Sequence, residues 1–69
     1  MFFCKNLQFL RKKMNISQTE LGKRINMTRD SINSLENGRM KPSYDTLITL
    51  RNFFNVNLDE LIFIDLSTK

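Results

Sequence analysis

The segment Gln18–Gly38, QTELGKRINMTRDSINSLENG, decides the fold, because it predicts two short helices joined by a tight turn. Leu21 and Ile25 are four residues apart, which places both on one face of the first helix. Asn26 tolerates the left-handed backbone that ends a helix, and Thr28 can cap the next one. Helices joined by so short a turn diverge sharply, so one face of the second helix is left exposed.

The second helix of this pair, predicted over residues 29–37, has a polar outer face. Ile32 and Leu35 are three residues apart and define its inward direction, while Arg29 lies on the flank near the helix start. At about 100° per residue, the residues that point away from the interior are Asp30, Asn33, Ser34 and Asn37. These short donors and acceptors suit hydrogen bonding to base edges in the DNA major groove. A merely solvated helix face is the alternative for any one of them.

Further motifs surround this helix pair. The most specific are Ser17-Gln18-x-x-Leu21 and Leu35-Glu36-Asn37-Gly38-Arg39, and the second is followed by Pro42. Together with a series of spaced apolar residues between about Leu7 and Ile62, they resemble the Cro/phage-repressor (XRE-type) family of helix-turn-helix transcriptional regulators. The resemblance implies an all-α, compact five-helix DNA-binding domain that binds double-stranded DNA in a sequence-specific manner.

The resemblance also implies which residues read bases. The helix that begins at Arg29 would lie in the major groove with its N-terminal half on the base edges. The base-reading residues would be Thr28, Arg29, Asp30, Asn33 and Ser34. Among them Arg29 suits guanine, Asn33 suits adenine and Asp30 suits a cytosine amino group. Gln18 would touch both phosphate and base, and its alternative role is simply to form the first turn of its helix.

The same resemblance implies contacts that hold the DNA backbone without reading sequence. Phosphates would be bound by main-chain N–H groups at the start of the Gln18 helix and near Asn37. Side-chain contacts to phosphates would come from Arg39, Lys41 and Ser43. Glu36 lies about 70° from the inward direction, so it should be part-buried and need a partner. The resemblance supplies Arg11 as that partner, in a structural pair.

Composition limits the chain to one small domain. It has 69 residues, of which 41% are hydrophobic and 26% charged, an ordinary globular balance. No apolar run approaches the roughly 20 residues of a membrane span, and the first residues lack the order of a secretory signal. The single Cys4 cannot form an internal disulfide, which suits the cytoplasm. With no His and no second Cys, we expect no metal site and no cofactor.

The positive charge is unevenly distributed. Residues 1–41 hold nine Lys or Arg and three acids, a net charge of +6, whereas residues 42–69 hold two cations and four acids, a net charge of −2. The basic part therefore carries the predicted helix pair, as expected of a nucleic-acid-binding protein. A basic solvated surface without a polyanionic partner is the alternative.

Four plausible N-caps, each flanked by the apolar residues of a hydrophobic staple, predict four helix starts after an initial helix. The caps are Ser17, Thr28, Ser43 and Asn57, and acids three residues after the first and last could complete capping boxes. The predicted helices run from Cys4 or Lys5 to Met14, from Gln18 to Ile25, from Arg29 to Asn37, from Tyr44 to Phe54 and from Leu58 to Ile62. The inward residues of the first helix would be Phe3, Leu7, Leu10 and Met14. Gly22 would allow close approach of the third helix.

The two ends of the chain are unusually apolar. Residues 63–66 are rich in strand-forming side chains, so a short antiparallel pairing with Met1–Phe3 is one possibility. A frayed N-terminus with a longer fifth helix is the other. Ile48 and Phe53 lie off the inward face of the fourth helix and either pack on the fifth helix or are exposed. In either arrangement, surplus apolar groups should reach the surface and mark an interface.

These features predict a repressor that acts as a homodimer on a palindromic operator, with residues 55–69 as the candidate dimer interface. One alternative is an antitoxin-like or controller protein that binds a protein partner as well as DNA. Another is a helix-turn-helix used only for protein contacts. An enzyme is disfavoured, because the chain lacks His, a nucleophile beside a base and a Gly-rich phosphate loop.

Overall fold

The structure, a computed structural model, describes residues 1–68. This part of the chain contains five α-helices and one short 3₁₀ helix, joined by turns. The helices are α1 (Phe3–Lys13), α2 (Gln18–Ile25), α3 (Arg29–Asn37), α4 (Tyr44–Phe54) and α5 (Leu58–Phe63), followed by the 3₁₀ helix Leu66–Thr68. The predicted all-α, five-helix fold is confirmed. None of the helices in the described part is long and apolar enough to cross a membrane.

Three of the four predicted caps begin their helices as expected. Ser17, Thr28 and Ser43 each accept a hydrogen bond from the backbone N–H three residues later, at 3.0–3.1 Å. Asn57 occupies the N-cap position of α5, but its side chain makes no cap hydrogen bond. The carboxylate of Glu20 accepts from Arg24 Nε at 2.9 Å and so supports α2 one turn further along.

Left-handed residues end the helices where the sequence allows them. Asn26 closes α2 with φ 61°, as predicted, and Gly38 closes α3 with φ 83°. Asn15 has φ 61° just beyond α1, and Asn55 ends α4 with φ 55°. Asn is one of the few residues with a side chain that reaches this region at low cost, which explains its repeated use here.

The core lies where α1, α2, α3, α4 and α5 converge, and α3 packs against both α1 and α2. Its buried apolar residues are Phe3, Leu7, Leu21, Ile32, Leu35, Leu50 and Leu61. The prediction that Met14 belongs to the inward face of the first helix was wrong. That helix ends at Lys13, so Met14 lies at the C-cap and is 43% exposed. Phe53 packs against the core and meets the Phe54 ring edge-on at 5.0 Å.

Gly22 is buried for a reason that differs from the predicted one. A Cβ atom at this position would lie 2.4 Å from the carbonyl oxygen of Met27 and 3.3 Å from its carbonyl carbon. The close neighbour is therefore the backbone of the turn before α3, not α3 itself. Because Met27 N donates to Gly22 O at 2.7 Å, the turn is held directly against this glycine.

The chain ends meet without forming strands, so the predicted β pairing was wrong. Phe2 N donates to Ile62 O at 2.8 Å, and no residue within 1–68 is in a strand. Instead of a strand, the side chain of the buried Asn6 is hydrogen-bonded to the backbone near the C-terminal end. Its Nδ2 atom donates to the carbonyl oxygens of Glu60, Leu61 and Ile64 at 2.6–3.2 Å, and its Oδ1 accepts from Leu66 N at 3.0 Å.

The other expectation combined a frayed N-terminus with a longer fifth helix. The chain is not frayed at Phe2, whose N–H is hydrogen-bonded to Ile62 O, and α5 ends at Phe63, one residue beyond its predicted end. An ion pair between Lys5 Nζ and Asp65 Oδ2, at 2.8 Å, adds a second link between the ends. Hydrogen bonds from Lys5 and then from Ser67 lower the pKa of Asp65 below its ordinary value of 3.8. Lys69, the last residue of the predicted interface segment 55–69, lies outside the described residues.

Candidate nucleic-acid interface

The outer face of α3 carries most of the predicted base-reading residues. Arg29 and Asp30 are exposed at its start, with 63% and 96% of their side chains accessible. Their nearest charged atoms are 3.9 Å apart, so the pair is loose and both groups can turn to a ligand. Asn37 at the other end is also exposed, whereas Asn33 and Ser34 in the middle are only partly exposed.

Thr28, predicted to be a base reader, is primarily the cap of α3. Its Oγ1 accepts from Ser31 N at 3.1 Å and donates to Ser31 Oγ at 2.9 Å. The side chain is exposed, so its methyl group and a hydroxyl lone pair remain accessible at the first turn of α3. Thr28 thus contributes to the same surface as Arg29 while holding the helix start in place.

Beneath this face lies a buried ion pair between Arg11 of α1 and Glu36 of α3. Arg11 Nε donates to Glu36 Oε2 at 2.6 Å and Arg11 Nη2 donates to Glu36 Oε1 at 3.1 Å. Only 10% and 3% of the two side chains are exposed. Arg11 Nη1 also donates to the Ile16 carbonyl at 2.9 Å, so the pair fixes α1, α3 and the α1–α2 turn together. The guanidinium of Arg11 is thus engaged by Glu36 and by the Ile16 carbonyl.

Gln18 is held by α3 through two hydrogen bonds. Its Nε2 donates to Glu36 Oε1 at 3.1 Å and to Asn33 Oδ1 at 3.2 Å. Gln18 begins α2, as predicted, but its contacts with α3 were not predicted. The available signal was the spacing of Asn33 and Glu36, since residues three apart on a helix are neighbours and can share a ligand.

The loop after α3 carries the predicted phosphate ligands. Asn37 Oδ1 accepts from the backbone N–H of Arg39 and from its Nε, both at 3.1 Å, and Met40 N donates to Ser34 O at 3.2 Å. These bonds fold the loop back along α3 and leave Arg39 and Lys41 exposed. The predicted phosphate ligand at position 43 is already engaged, because its hydroxyl caps α4 and donates to Thr46 Oγ1 at 3.0 Å.

The contacts join these residues into one surface that runs from Gln18 across Asn33 to Asn37 and Arg39. It combines exposed cations with short hydrogen-bonding side chains on a helix, the combination that suits a polyanion with readable base edges. A five-helix bundle that presents such a helix after a tight turn is a repressor-like helix-turn-helix domain. Such a fold is that of DNA-binding transcriptional regulators rather than of enzymes.

Comparison with known proteins agrees with this class. The family model described as Helix-turn-helix matches residues 7–61. The chain is 33% identical over 60 residues to the uncharacterized HTH-type transcriptional regulator YqaE of Bacillus subtilis, covering 87% of this chain and 52% of that protein. It is 34% identical over 62 residues to the HTH-type transcriptional activator BcrR of Enterococcus faecalis, covering 90% of this chain and 30% of that protein.

A solved structure shows the same fold. The P22 c2 repressor protein, crystallised in complex with a synthetic operator, superposes with a TM-score of 0.85 and 25% sequence identity, over 94% of this chain and 98% of the other. The present chain therefore belongs to the helix-turn-helix family of the Cro/phage-repressor, XRE type. It spans about half the length of YqaE and less than a third of BcrR, the curated relatives compared above.

Proposed function

We propose that this protein binds double-stranded DNA in a sequence-specific manner and represses transcription from the site it occupies. The observation that carries the proposal is the likeness, over 94% of the chain, to a repressor whose structure was determined on a synthetic operator. The exposed polar face of α3 supports it independently, because a helix with Arg, Asp, Asn and Ser at its surface can enter the major groove and read base edges.

Two groups of residues divide the work in this proposal. Base edges are read from α3 and its cap by Thr28, Arg29, Asp30, Asn33 and Ser34. Phosphates are bound by Arg39 and Lys41 of the exposed loop, with Gln18, Asn37 and Ser43 contributing polar or main-chain groups at helix ends. The phosphate contacts set the register of α3 on the duplex, and the base contacts choose the sequence.

We further propose that the protein acts as a homodimer on a palindromic operator. One chain presents one α3, and a tight, specific site needs a second recognition helix about 34 Å away, one turn of DNA further along. Twofold symmetry provides it economically. The interface would lie within residues 55–69, where the residues Phe63 and Ile64 are 59% and 42% exposed.

Selection of preferred duplexes from a random pool tests these proposals together. We expect an enriched sequence with inverted symmetry and half-sites one helical turn apart. Sedimentation of the complex on that duplex should give two chains per site. Absence of any preference among duplexes at low ionic strength would overturn the DNA-binding proposal, whereas a preferred site without symmetry would overturn only the homodimer.

A second candidate function is that of an antitoxin-like or controller protein, which binds a protein partner as well as DNA. The exposed apolar side chains of Met1, Phe2, Phe63 and Ile64 favour it, since such groups commonly mark an interface. Salt separates the two kinds of binding. DNA affinity should fall steeply, with a log–log slope of about −0.9 per phosphate contacted, whereas association through an apolar face should barely respond.

The direction of regulation needs its own measurement. BcrR is named a transcriptional activator, and P22 c2 is named a repressor. We propose repression in the cytoplasm, because the solved structure that this chain resembles over 94% of its length is that of a repressor. Reporter expression from a promoter that overlaps the selected site should therefore fall when the protein is produced. A rise in expression would overturn repression while leaving DNA binding intact.

A further inference from the structure

Three polar side chains connect the buried ion pair to the outer face of α3, and we call this set, Gln18, Asn33 and Glu36, the amide network. Gln18 Nε2 donates to Glu36 Oε1 at 3.1 Å and to Asn33 Oδ1 at 3.2 Å. A carboxylate can only accept, so the Gln18 amide must turn its nitrogen towards Glu36. The second hydrogen on that nitrogen then requires an acceptor, and Asn33 must face it with its carbonyl oxygen.

This arrangement determines which end of Asn33 faces outward. Its Nδ2 atom has no hydrogen-bond partner within residues 1–68, and no buried side-chain nitrogen or oxygen in that range lacks a partner, so Nδ2 reaches the surface. An unconstrained Asn amide can rotate by 180° and present either its donor or its acceptor end. Glu36 itself cannot rotate freely, because Arg11 holds both of its oxygens.

We infer that Glu36 is a positioning residue for base recognition, which through Gln18 fixes Asn33 with its N–H donors towards the DNA. The inference rests on the proposed function and deepens it. A donor needs an acceptor on the base edge. In the major groove adenine presents N7, guanine presents N7 and O6, and thymine presents O4, whereas cytosine presents an amino group. Asn33 therefore selects a base with a major-groove acceptor, a purine or thymine, at one operator position and rejects cytosine there. This replaces the assignment to adenine that the residue type alone suggested.

The first test compares duplexes selected from a random pool by the wild-type protein and three variants. Asn33→Ala removes the reader, and the ratio of the preferred base to cytosine at one operator position should fall about tenfold, which identifies the contacted base pair. Gln18→Met removes the amide that orients Asn33 but keeps the Arg11–Glu36 pair. It should lower the ratio at that same position about threefold. Asn52→Ala, at an exposed position of α4, is the control and should leave the ratio unchanged.

The second test uses modified DNA with the wild-type protein. Where the preferred base is adenine, its 7-deaza analogue lacks the N7 acceptor, so affinity should fall about tenfold, whereas removal of the N6 amino group should change it less than about twofold. Glu36→Gln provides a further variant that should broaden the base preference at this position without moving it. Since that change also weakens the ion pair, only Gln18→Met, which leaves the pair intact, is decisive.

The outcomes separate this inference from the function on which it rests. A wild-type protein without any duplex preference would overturn the proposed function itself. A clear wild-type preference that Gln18→Met leaves unchanged at the position lost in Asn33→Ala would overturn the amide network as the source of specificity. Full tolerance of the 7-deaza analogue would show that Asn33 is not a donor to N7. A change in Asn52→Ala equal to that in Asn33→Ala would also overturn the inference.

Discussion

Glu36 carries a negative charge on a side chain of which only 3% is exposed. Arg11 and Gln18 supply the three hydrogen bonds that compensate for its removal from water. A buried pair of this kind adds little net stability compared with an apolar pair, because both ions must be desolvated. Loss of one partner is costly, however, since the remaining charge stays buried without compensation. The pair therefore enforces a particular packing of α1 on α3.

Replacement of Glu36 by Ala should consequently lower the free energy of unfolding by about 3–5 kcal/mol, because Arg11 would remain buried and unpaired. Urea denaturation of the protein without DNA measures this change. Glu20→Ala is the matched control, since its partner Arg24 is exposed and such a pair contributes about 1 kcal/mol or less. Equal midpoints for Glu36→Ala and the wild type would show that the pair is not structural.

Arg29 should determine the preferred base at one position of the operator. Its guanidinium is exposed at the first turn of α3, so Arg29→Ala should leave the fold intact. Affinity for the selected duplex should fall by about 1–3 kcal/mol, with relaxed discrimination at one base position. Binding of single-base-substituted duplexes measures both. Arg29→Lys keeps the charge but loses the planar fork, so it should relax the same position. Equal losses on all duplexes would assign Arg29 to a phosphate instead.

Among the helices, α2 contains a position, Gly22, at which helix propensity and packing predict opposite effects of the same substitution. Ala is favoured over Gly in a helix interior by up to about 1 kcal/mol, so preference alone predicts that Gly22→Ala stabilises α2. The new Cβ would lie 2.4 Å from the Met27 carbonyl oxygen, which is backbone and cannot swing aside. We expect a net destabilisation of about 1–3 kcal/mol, measured by thermal unfolding. Lys23→Ala, at the next and exposed position, is the control, and a stabilised Gly22→Ala would contradict the packing argument.

The bounds of α2, α3 and α4 were predictable because the signals that set them are local. Ser17, Thr28 and Ser43 cap their own helices, and Asn26 and Gly38 end two of them, all within a few residues of the backbone that they satisfy. The polar outer face of α3 followed from its own periodicity in the same way. Such features need no knowledge of what packs against the helix.

The chain ends were mispredicted because their structure depends on contacts between distant residues. In the sequence, Asn6 cannot be distinguished from an ordinary exposed polar residue of α1. In the structure it is fully buried, and its side chain is hydrogen-bonded to backbone groups within residues 60–66. The strand propensity of residues 63–66 could not show that this side chain would form hydrogen bonds with their backbone N–H and C=O groups. The orientation of Asn33 was hidden for the same reason, since it depends on Gln18 across the α2–α3 turn.

At the scale of the whole molecule, the link between its ends should make stability depend on pH. Hydrogen bonds from Lys5 and Ser67 lower the pKa of Asp65 below 3.8, so its carboxylate favours the folded state above the unfolded pKa. That contribution is lost as the pH falls through the folded pKa. Asp65→Asn should therefore lower Tm at pH 7, and the difference from wild type should shrink below about pH 4.

Thermal unfolding of the wild type, Asp65→Asn, Lys5→Gln and the double variant between pH 2 and pH 7, roughly the range over which carboxyl groups titrate, measures this dependence. The two single changes remove the same ion pair, so their effects should be less than additive. A difference between wild type and Asp65→Asn that stays constant across the range would show that the carboxylate charge does not link the ends.

The uneven distribution of charge should affect how the protein binds DNA, which is a polyanion. With +6 on residues 1–41 and −2 on residues 42–69, the field should orient the basic part towards DNA before any base is read. Lys41, exposed in the loop after α3, should contact a phosphate, so Lys41→Ala should weaken binding to all duplexes alike and lower the salt slope by about one. Titrations of cognate and unrelated duplexes at several salt concentrations measure this.

Lys12→Ala removes the same charge from α1, outside the proposed contact surface, and should leave the slope almost unchanged. If only the cognate duplex loses affinity in Lys41→Ala, Lys41 reads a base and the loop enters the groove.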